Sequence, residues 1–239
     1  MSSFAARTQA LAFPRLLTKG QRALVRTIAE SPLQRHVIFT GGTALAAVYY
    51  GHRYSEDLDF FAQRSLDAGL LLPWQRSIAR QGFRVQREII GARHRYFAIP
   101  PRARRTVRID FVEFPFEPIE APKLVPELAV RVDSSLDIAV NKVHALTDRT
   151  ESKDFVDLYV LLRHHPAWRW EALLEWVRLK FDLHIDPLSF AHRLSHVGTL
   201  TVWPRFTRPL SRNHLRHFFQ EAARHLGRSA WSSSDSSRS

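Results

Sequence analysis

The chain has 239 residues, of which 45% are hydrophobic and 11% aromatic, which is the composition of a folded protein of one or two domains. It contains no cysteine, which excludes disulfides, thiolate zinc sites and a cysteine nucleophile. Its 35 Lys plus Arg against 23 Asp plus Glu leave a net charge of +12, which favours polyanionic partners such as nucleic acid, nucleotides or an acidic protein, unless it reflects only the arginine usage of a high-GC genome.

In chain order, GQRALVRTIAE (20–30) reads as a short amphipathic helix. HVIFT (36–40) is a β-branched strand that runs into Gly41-Gly42, and TALAAVYY has helix-forming composition. A second strand covers about 57–62. LDAGLLLPWQRSIARQ reads as a helix with Pro73 near its start. FRVQREII (83–90), RHRYFAIP (93–100) and TVRIDFVEF (106–114) are strand-like, the last two joined by the basic loop PRARR. Prolines at 115, 118, 122 and 126 mark a linker or extended crossover.

From about residue 131 the pattern turns helical. Leu136, Ala139, Val140, Val143 and Leu146 fall at helical spacing, as do Phe155, Leu158, Tyr159 and Leu162. WRWEALLEWVRLKF and NHLRHFFQEAARHLG extend the series, with Leu215, Phe218, Phe219, Ala222 and Leu226 inward and Gly227 as the C-cap. The serine-rich tail WSSSDSSRS reads as disordered. The expected domains are therefore 1–115 mixed α/β, 116–130 a Pro-rich linker, 131–230 helical and 231–239 a tail. No apolar run approaches the roughly 20 residues that cross a bilayer, and MSSFAARTQALAFPRLL is too weakly apolar for a signal peptide. A cytoplasmic protein without membrane association is expected.

The chemistry concentrates in GGTALAAVYYGHRYSEDLDFF (41–61). In a strand, residues i and i+2 share a face, so Asp57 and Asp59 project together while Leu58 and Phe60 face the core. Two carboxylates so placed suit Mg²⁺ or Mn²⁺, which completes its shell with water and phosphate oxygens. Upstream, a strand, a Gly41-Gly42-Thr43 turn and a helix start offer backbone N–H groups and a hydroxyl to phosphates. A glycine pair after a strand is commonly a plain turn, and Asp-x-Asp is commonly a solvated edge. In this order and spacing, they match the needs of nucleotidyl transfer.

G-G-T-x13-D-x-D followed by Phe resembles the signature of the DNA polymerase β-like nucleotidyltransferase superfamily. Within it, GGTALA…HRYSEDLDFF is similar to the AbiEii/AbiGii toxin family, as is LDIAVNKVHALTDRTESKDFVDLYVLL further on. The resemblance spans about 34–163 and includes both motifs. It implies an α+β fold, with an N-terminal polymerase β-like nucleotidyltransferase mixed sheet flanked by helices, then an α-helical C-terminal region that completes the active site. It also implies a toxin of a two-gene toxin–antitoxin system, some members of which transfer nucleotides from NTPs to tRNA 3′ ends. Carried onto this sequence, Gly41, Gly42 and Thr43 would contact phosphates and Asp57 and Asp59 would bind metal. Lys142 would meet the triphosphate, and Asp154 would complete the site.

Asp110 is a candidate third metal ligand or general base, since it interrupts an apolar strand; pairing with Arg108 or a cross-strand arginine is the alternative. Lys142 flanks the apolar stripe of its helix, where an ordinary snorkelling lysine would also sit. Asp154 and Asp157 share a helix face, with Ser152 a candidate N-cap and Asp154 then a first-turn acid. Arg53 is a candidate phosphate ligand and Ser55 a candidate to orient a carboxylate; service to the loop alone is the alternative for either. The 12 histidines, His164-His165 included, lack a ligand spacing. Arg102, Arg104, Arg105 and the basic face of the last helix are candidate RNA-backbone contacts. The expected activity is metal- and NTP-dependent transfer of a nucleotide to RNA such as a tRNA 3′ end, restrained by a cognate antitoxin. Nucleotidylation of protein and a catalytically silent nucleotide- or RNA-binding module are the alternatives.

Overall fold

The protein was analysed as a computed structural model, which describes residues 7–102 and 105–236. Residues up to Ser135 form one compact unit and Leu136 onward a second.

The first unit is built on a seven-stranded mixed sheet, ordered β3-β4-β5-β2-β1-β7-β6. Its strands are β1 (Val37–Thr40), β2 (Leu58–Ala62), β3 (Arg84–Ile90), β4 (Arg93–Ile99), β5 (Val107–Glu113), β6 (Lys123–Val125) and β7 (Val130–Val132). The central pairs are β1–β2 antiparallel and β2–β5 parallel, with Thr40 beside Asp59 and Asp59 beside Asp110. One face carries the core residues Phe60, Tyr96, Ile109 and Phe111, all fully buried. Helix α1 (Lys19–Ala29) contributes Leu24, Val25 and Ile28 to that core, and α3 (Ala68–Arg80) contributes Leu71, Trp74 and Ile78. The Trp74 ring meets Tyr96 at 4.9 Å and Phe111 at 5.1 Å, both edge-on, and its Nε1 donates to Thr27 Oγ1 at 3.0 Å. Between β1 and β2, Gly41–Ala44 is α-helical (α2) and continues as a π-helix over Leu45–Tyr50, which ends at left-handed Gly51.

Proline placement refines one expectation and overturns another. Of the two readings of the proline-rich stretch, the extended crossover holds and the linker does not: the chain passes from β5 across β2 and β1, and β6 and β7 lie in or across the end of 116–130 and complete the sheet, β7 pairing parallel with β1. The prolines at 115, 118, 122 and 126 flank the short edge strand β6 instead of entering it, so no ladder donor is lost. Gln9 and the Arg7 carbonyl bond to Leu124 on the outer side of that strand. Pro73 lies inside α3, past its first turn. Burial of Leu71, Trp74 and Ile78, with the Asp67 cap on Leu70 N (3.0 Å), offsets the backbone bond that Pro73 cannot make.

The second unit is helical: α4 (Ser135–Asp148, whose first residue closes the first unit), α5 (Ser152–His164), α6 (Trp170–Phe181), α7 (Pro187–Ser195) and α8 (Arg212–Ser236). Phe155 meets Phe219 edge-on at 5.0 Å, and Leu146, Leu158, Leu173, Val177, Leu194, Leu215 and Leu226 fill the core around them. Helix α7, not singled out in the sequence, is signalled by Asp186-Pro187: Asp186 accepts from Ser189 N at 2.7 Å and Pro187 takes the first position. Gly227 is not a C-cap, because α8 runs through it to Ser236, into the segment read as disordered. A helix once nucleated extends at one hydrogen bond per residue, and serine resists it only mildly. Among the described residues no helix is long and apolar enough to cross a membrane.

A Cβ at Gly227 would meet nothing within 4 Å. Gly227→Ala should therefore raise stability by about 0.5–1 kcal/mol through the lower helix entropy cost, read as a higher urea midpoint with unchanged slope.

Candidate active site

Three carboxylates gather on the sheet face opposite the Trp74 core. Asp57 immediately precedes β2, Asp59 lies within it, and Asp110 is the register partner of Asp59 on β5. Side chains alternate along each strand, so Leu58 and Phe60 point into the core while the acids share the other face. The counter-charge comes from the neighbouring strands. Arg95, opposite Asp110 on β4, donates from Nε to Oδ1 and from Nη2 to Oδ2, each at 2.8 Å. That bidentate pairing pushes the Arg95 pKa above its already high value. Arg93 and Arg108 approach Asp110 Oδ2 at 3.8 Å, and Arg108 Nη2 bonds Asp57 Oδ2.

The glycine turn is fixed against these acids. Gly41 has φ +73°, and a Cβ built on it would lie 2.5 Å from Asp59 Oδ2. Glycine is therefore required twice over, for its backbone conformation and for the approach of the carboxylate. Thr40 precedes the turn without capping it, because its hydroxyl donates to buried Asp133 Oδ2 at 2.6 Å. The Asp133 carbonyl accepts from Tyr49 Oη at 2.7 Å, and its N–H bonds Phe39 O at 3.0 Å. One buried aspartate after β7 thus ties together both ends of the segment containing the turn.

Several expected ligands are structural in this arrangement. Thr43 is buried and its hydroxyl donates to the Asp57 carbonyl, fastening the turn to the acid strand. Arg53 is 4% exposed, with Nη1 on the Tyr54 carbonyl at 3.2 Å. The Ser55 and Glu56 carbonyls both accept from Gln21 Nε2 at 3.1 Å. Gln21 also closes a capping box with Thr18 at the start of α1, so one buried amide anchors the approach to Asp57. Sequence reasoning missed Gln21 and Asp133, and it offered a cross-strand arginine for Asp110 without assigning it to Arg95. Only Gln21 left a signal, the T-x-x-Q of a capping box.

Lys142, Asp154 and Asp157 belong to the second unit and bond one another. Lys142 Nζ lies 2.6 Å from Asp154 Oδ1 and 2.7 Å from Asp157 Oδ2, and Arg149 Nε reaches Asp154 Oδ2 at 2.8 Å. Both aspartates are fully buried. The lysine read as a triphosphate ligand thus holds α4 to α5. Ser152 is the first helical residue and not the N-cap; Glu151 takes that position, its carbonyl accepting from Asp154 N at 2.9 Å. A second buried pair, Lys180 Nζ to Asp137 Oδ1 at 2.6 Å, joins α6 to α4. His165 stacks on Trp168 at 3.9 Å and His164 Nδ1 lies 2.8 Å from the Val160 carbonyl; among the described residues no three His, Cys, Asp or Glu side chains form a metal cluster. Arg102 and Arg105 lie in the β4–β5 loop, and Arg104 falls outside the described residues.

Asp57 and Asp59 nevertheless suit a hard divalent cation by their oxygen donors and shared face. Arg108 supplies the local positive charge without saturating its own donors, since its buried Nε makes no hydrogen bond among the described residues. Asp110, engaged through both oxygens by Arg95, fits a third ligand position less well.

Burial alone would raise the Asp154 pKa, but the charges of Lys142 and Arg149 outweigh it and hold the carboxyl below its ordinary 3.8. A depressed folded value means stabilisation that is complete above the unfolded pKa and is lost as pH falls through the folded one. Asp154→Asn should therefore lower the urea midpoint at neutral pH and flatten its decline below pH about 4. Lys142→Met, which removes the cation between two buried carboxylates, should cost about 3–5 kcal/mol in the same titration at pH 7.

Comparison with known proteins agrees with the fold. The uncharacterized protein aq_aa25 of Aquifex aeolicus (strain VF5) is 29% identical over 176 residues, which cover 70% of this chain and 77% of that protein. Among solved structures, JHP933 from Helicobacter pylori superposes with a TM-score of 0.56 at 19% identity, covering 91% of this chain and 93% of the other. A putative nucleotidyltransferase from H. pylori follows at 0.55 and 16% identity, covering 88% and 93%. At such identities the superpositions establish a shared fold. The profile of the nucleotidyl transferase AbiEii toxin family, a type IV toxin–antitoxin family, matches residues 22–234, and this chain belongs to that family.

Proposed function

We propose that the protein is a toxin that transfers a nucleoside monophosphate from an NTP to an RNA acceptor such as a tRNA 3′ end, and that a separately encoded antitoxin restrains it. The observation that carries this reading is the seating of the Gly41 turn directly on the Asp59 carboxylate, which sets a helix start without a side-chain cap beside the acids. The net charge of +12 favours a polyanionic acceptor such as RNA.

Asp57 and Asp59 would hold magnesium or manganese, which supplies charge stabilisation to the reacting phosphates when bound. The Gly42 and Thr43 N–H groups, at a helix start that no side chain caps, orient the triphosphate. An acceptor hydroxyl forms a bond to the α-phosphorus while the bond from that phosphorus to the α,β-bridging oxygen breaks, and pyrophosphate leaves. Arg108, released from Asp57, neutralises charge on the departing phosphates. The hydroxyl proton passes to Asp110 once its Oδ2 exchanges out of the Arg95 pair. Lys142 and Asp154 serve by fixing α4 to α5.

With α-labelled NTPs, magnesium and total tRNA, the wild-type chain should label RNA. Asp59→Asn should reduce labelling by at least about 100-fold while the protein stays folded. Gly41→Ala should do the same and also lower Tm, since the methyl displaces Asp59 and strains φ. Label on protein instead of RNA would replace the acceptor, and no label with any NTP would sink the transfer reading. Growth arrest on expression, relieved by Asp59→Asn, tests the toxin role.

A further inference from the structure

The acid-bearing face of the sheet does not end at Asp110. The register of β5, β4 and β3 sets out three rungs of side chains that project from it side by side. The first is Arg108, Phe97 and Gln86; the second is Asp110, Arg95 and Glu88; the third is Val112, Arg93 and Ile90. The same rungs continue inward through β2, where Asp59 joins the second and Phe61 the third. This surface is open to solvent. Every residue of β3 is exposed, Ile90 at 53%, and the Arg93 side chain at 42%. Phe97 is half-buried on the acid-bearing face, while its neighbours Tyr96 and Ala98 are buried on the other.

An aromatic ring among arginines on an open sheet is the arrangement that binds unpaired bases: the ring stacks a base and the guanidinium groups hold its phosphates. Phe97 lies two strands and one rung from Asp59, about 12 Å at the usual strand and residue spacings, which suits a nucleotide next to one reacting at the acids. The edge strand β3 carries Arg84 and Arg87, and charges along an edge disfavour strand addition by a protein partner. We propose that the β5–β4–β3 face is the acceptor platform, where a single-stranded RNA end lies with a base on Phe97 and its backbone on Arg93. This rests on the reading of the acceptor as RNA.

The test is binding without transfer. The full chain is titrated, with no NTP, into a short fluorescein-labelled single-stranded RNA, and anisotropy is read over a range of salt. Phe97→Ala should bind about tenfold more weakly, and Phe97→Tyr should restore affinity. Arg93→Gln should lower the slope of log affinity against log salt by about 0.7. Ile89→Ala, exposed on the other face of the same edge strand, should change neither. Circular dichroism melts confirm that all variants fold. Unchanged affinity in Phe97→Ala overturns the platform, and so does equal weakening by Ile89→Ala. Unchanged RNA affinity with loss of binding to a protein partner assigns the face to that protein and overturns it too. Loss of labelling activity with RNA binding intact would sink the transfer reading but leave the platform standing. Intact labelling with Phe97→Ala binding as wild type would sink only the platform.

Discussion

Two unit charges one strand spacing apart, about 4.8 Å, repel by roughly 3 kcal/mol at an effective dielectric near 20. Asp59 and Asp110 are register partners on adjacent strands, and Asp57 stands two residues before Asp59. A sheet with this pairing is stable only with positive charge on the same face. Arg95 and Arg108 provide it, which fixes the neighbours of the acids: β4 must lie against β5 in the register that sets Arg95 opposite Asp110. The aromatic core on the opposite face then follows from strand alternation, since the residues between the charged ones are Ile109, Phe111 and Tyr96.

The same logic accounts for the buried polar residues around the site. Asp133 accepts from Thr40 and Tyr49, and Gln21 donates to the Ser55 and Glu56 carbonyls, so the glycine turn and the acid strand are each held by one residue from a distant element. They hold backbone where a shift of a fraction of an ångström would move Asp57 or Gly41. The π-helix after the turn is a further local irregularity of the kind that collects near functional sites.

The helical unit depends on a separate set of charges. Lys142 between Asp154 and Asp157, and Lys180 on Asp137, are internal ion pairs that would be costly if broken, and each joins two helices in a defined register. The two acids of the motif Lys-Asp-x-x-Asp-Leu are partnered within the unit: spacing of i, i+3 puts Asp154 and Asp157 on one helix face toward Lys142, while the motif's own Lys153 pairs with Glu151 at 2.9 Å. Contact of Lys142 with a triphosphate is what the resemblance implies.

By itself the sequence determined five of the seven strands, most helices, the shared face of Asp57 and Asp59 and the glycine turn before them. Alternation and helical spacing are local, and so is the steric need for glycine. It also carried the family resemblance, whose two motifs are each contiguous. Only the tertiary structure decided which charges meet. The pairing of Arg95 with Asp110, of Arg108 with Asp57 and of Lys142 with two acids depends on strand register and helix packing between segments far apart in the chain. For the same reason β6 and β7 were hidden in a proline-rich stretch: short edge strands are specified by the strand they pair with, and their own three residues carry too little pattern to show it.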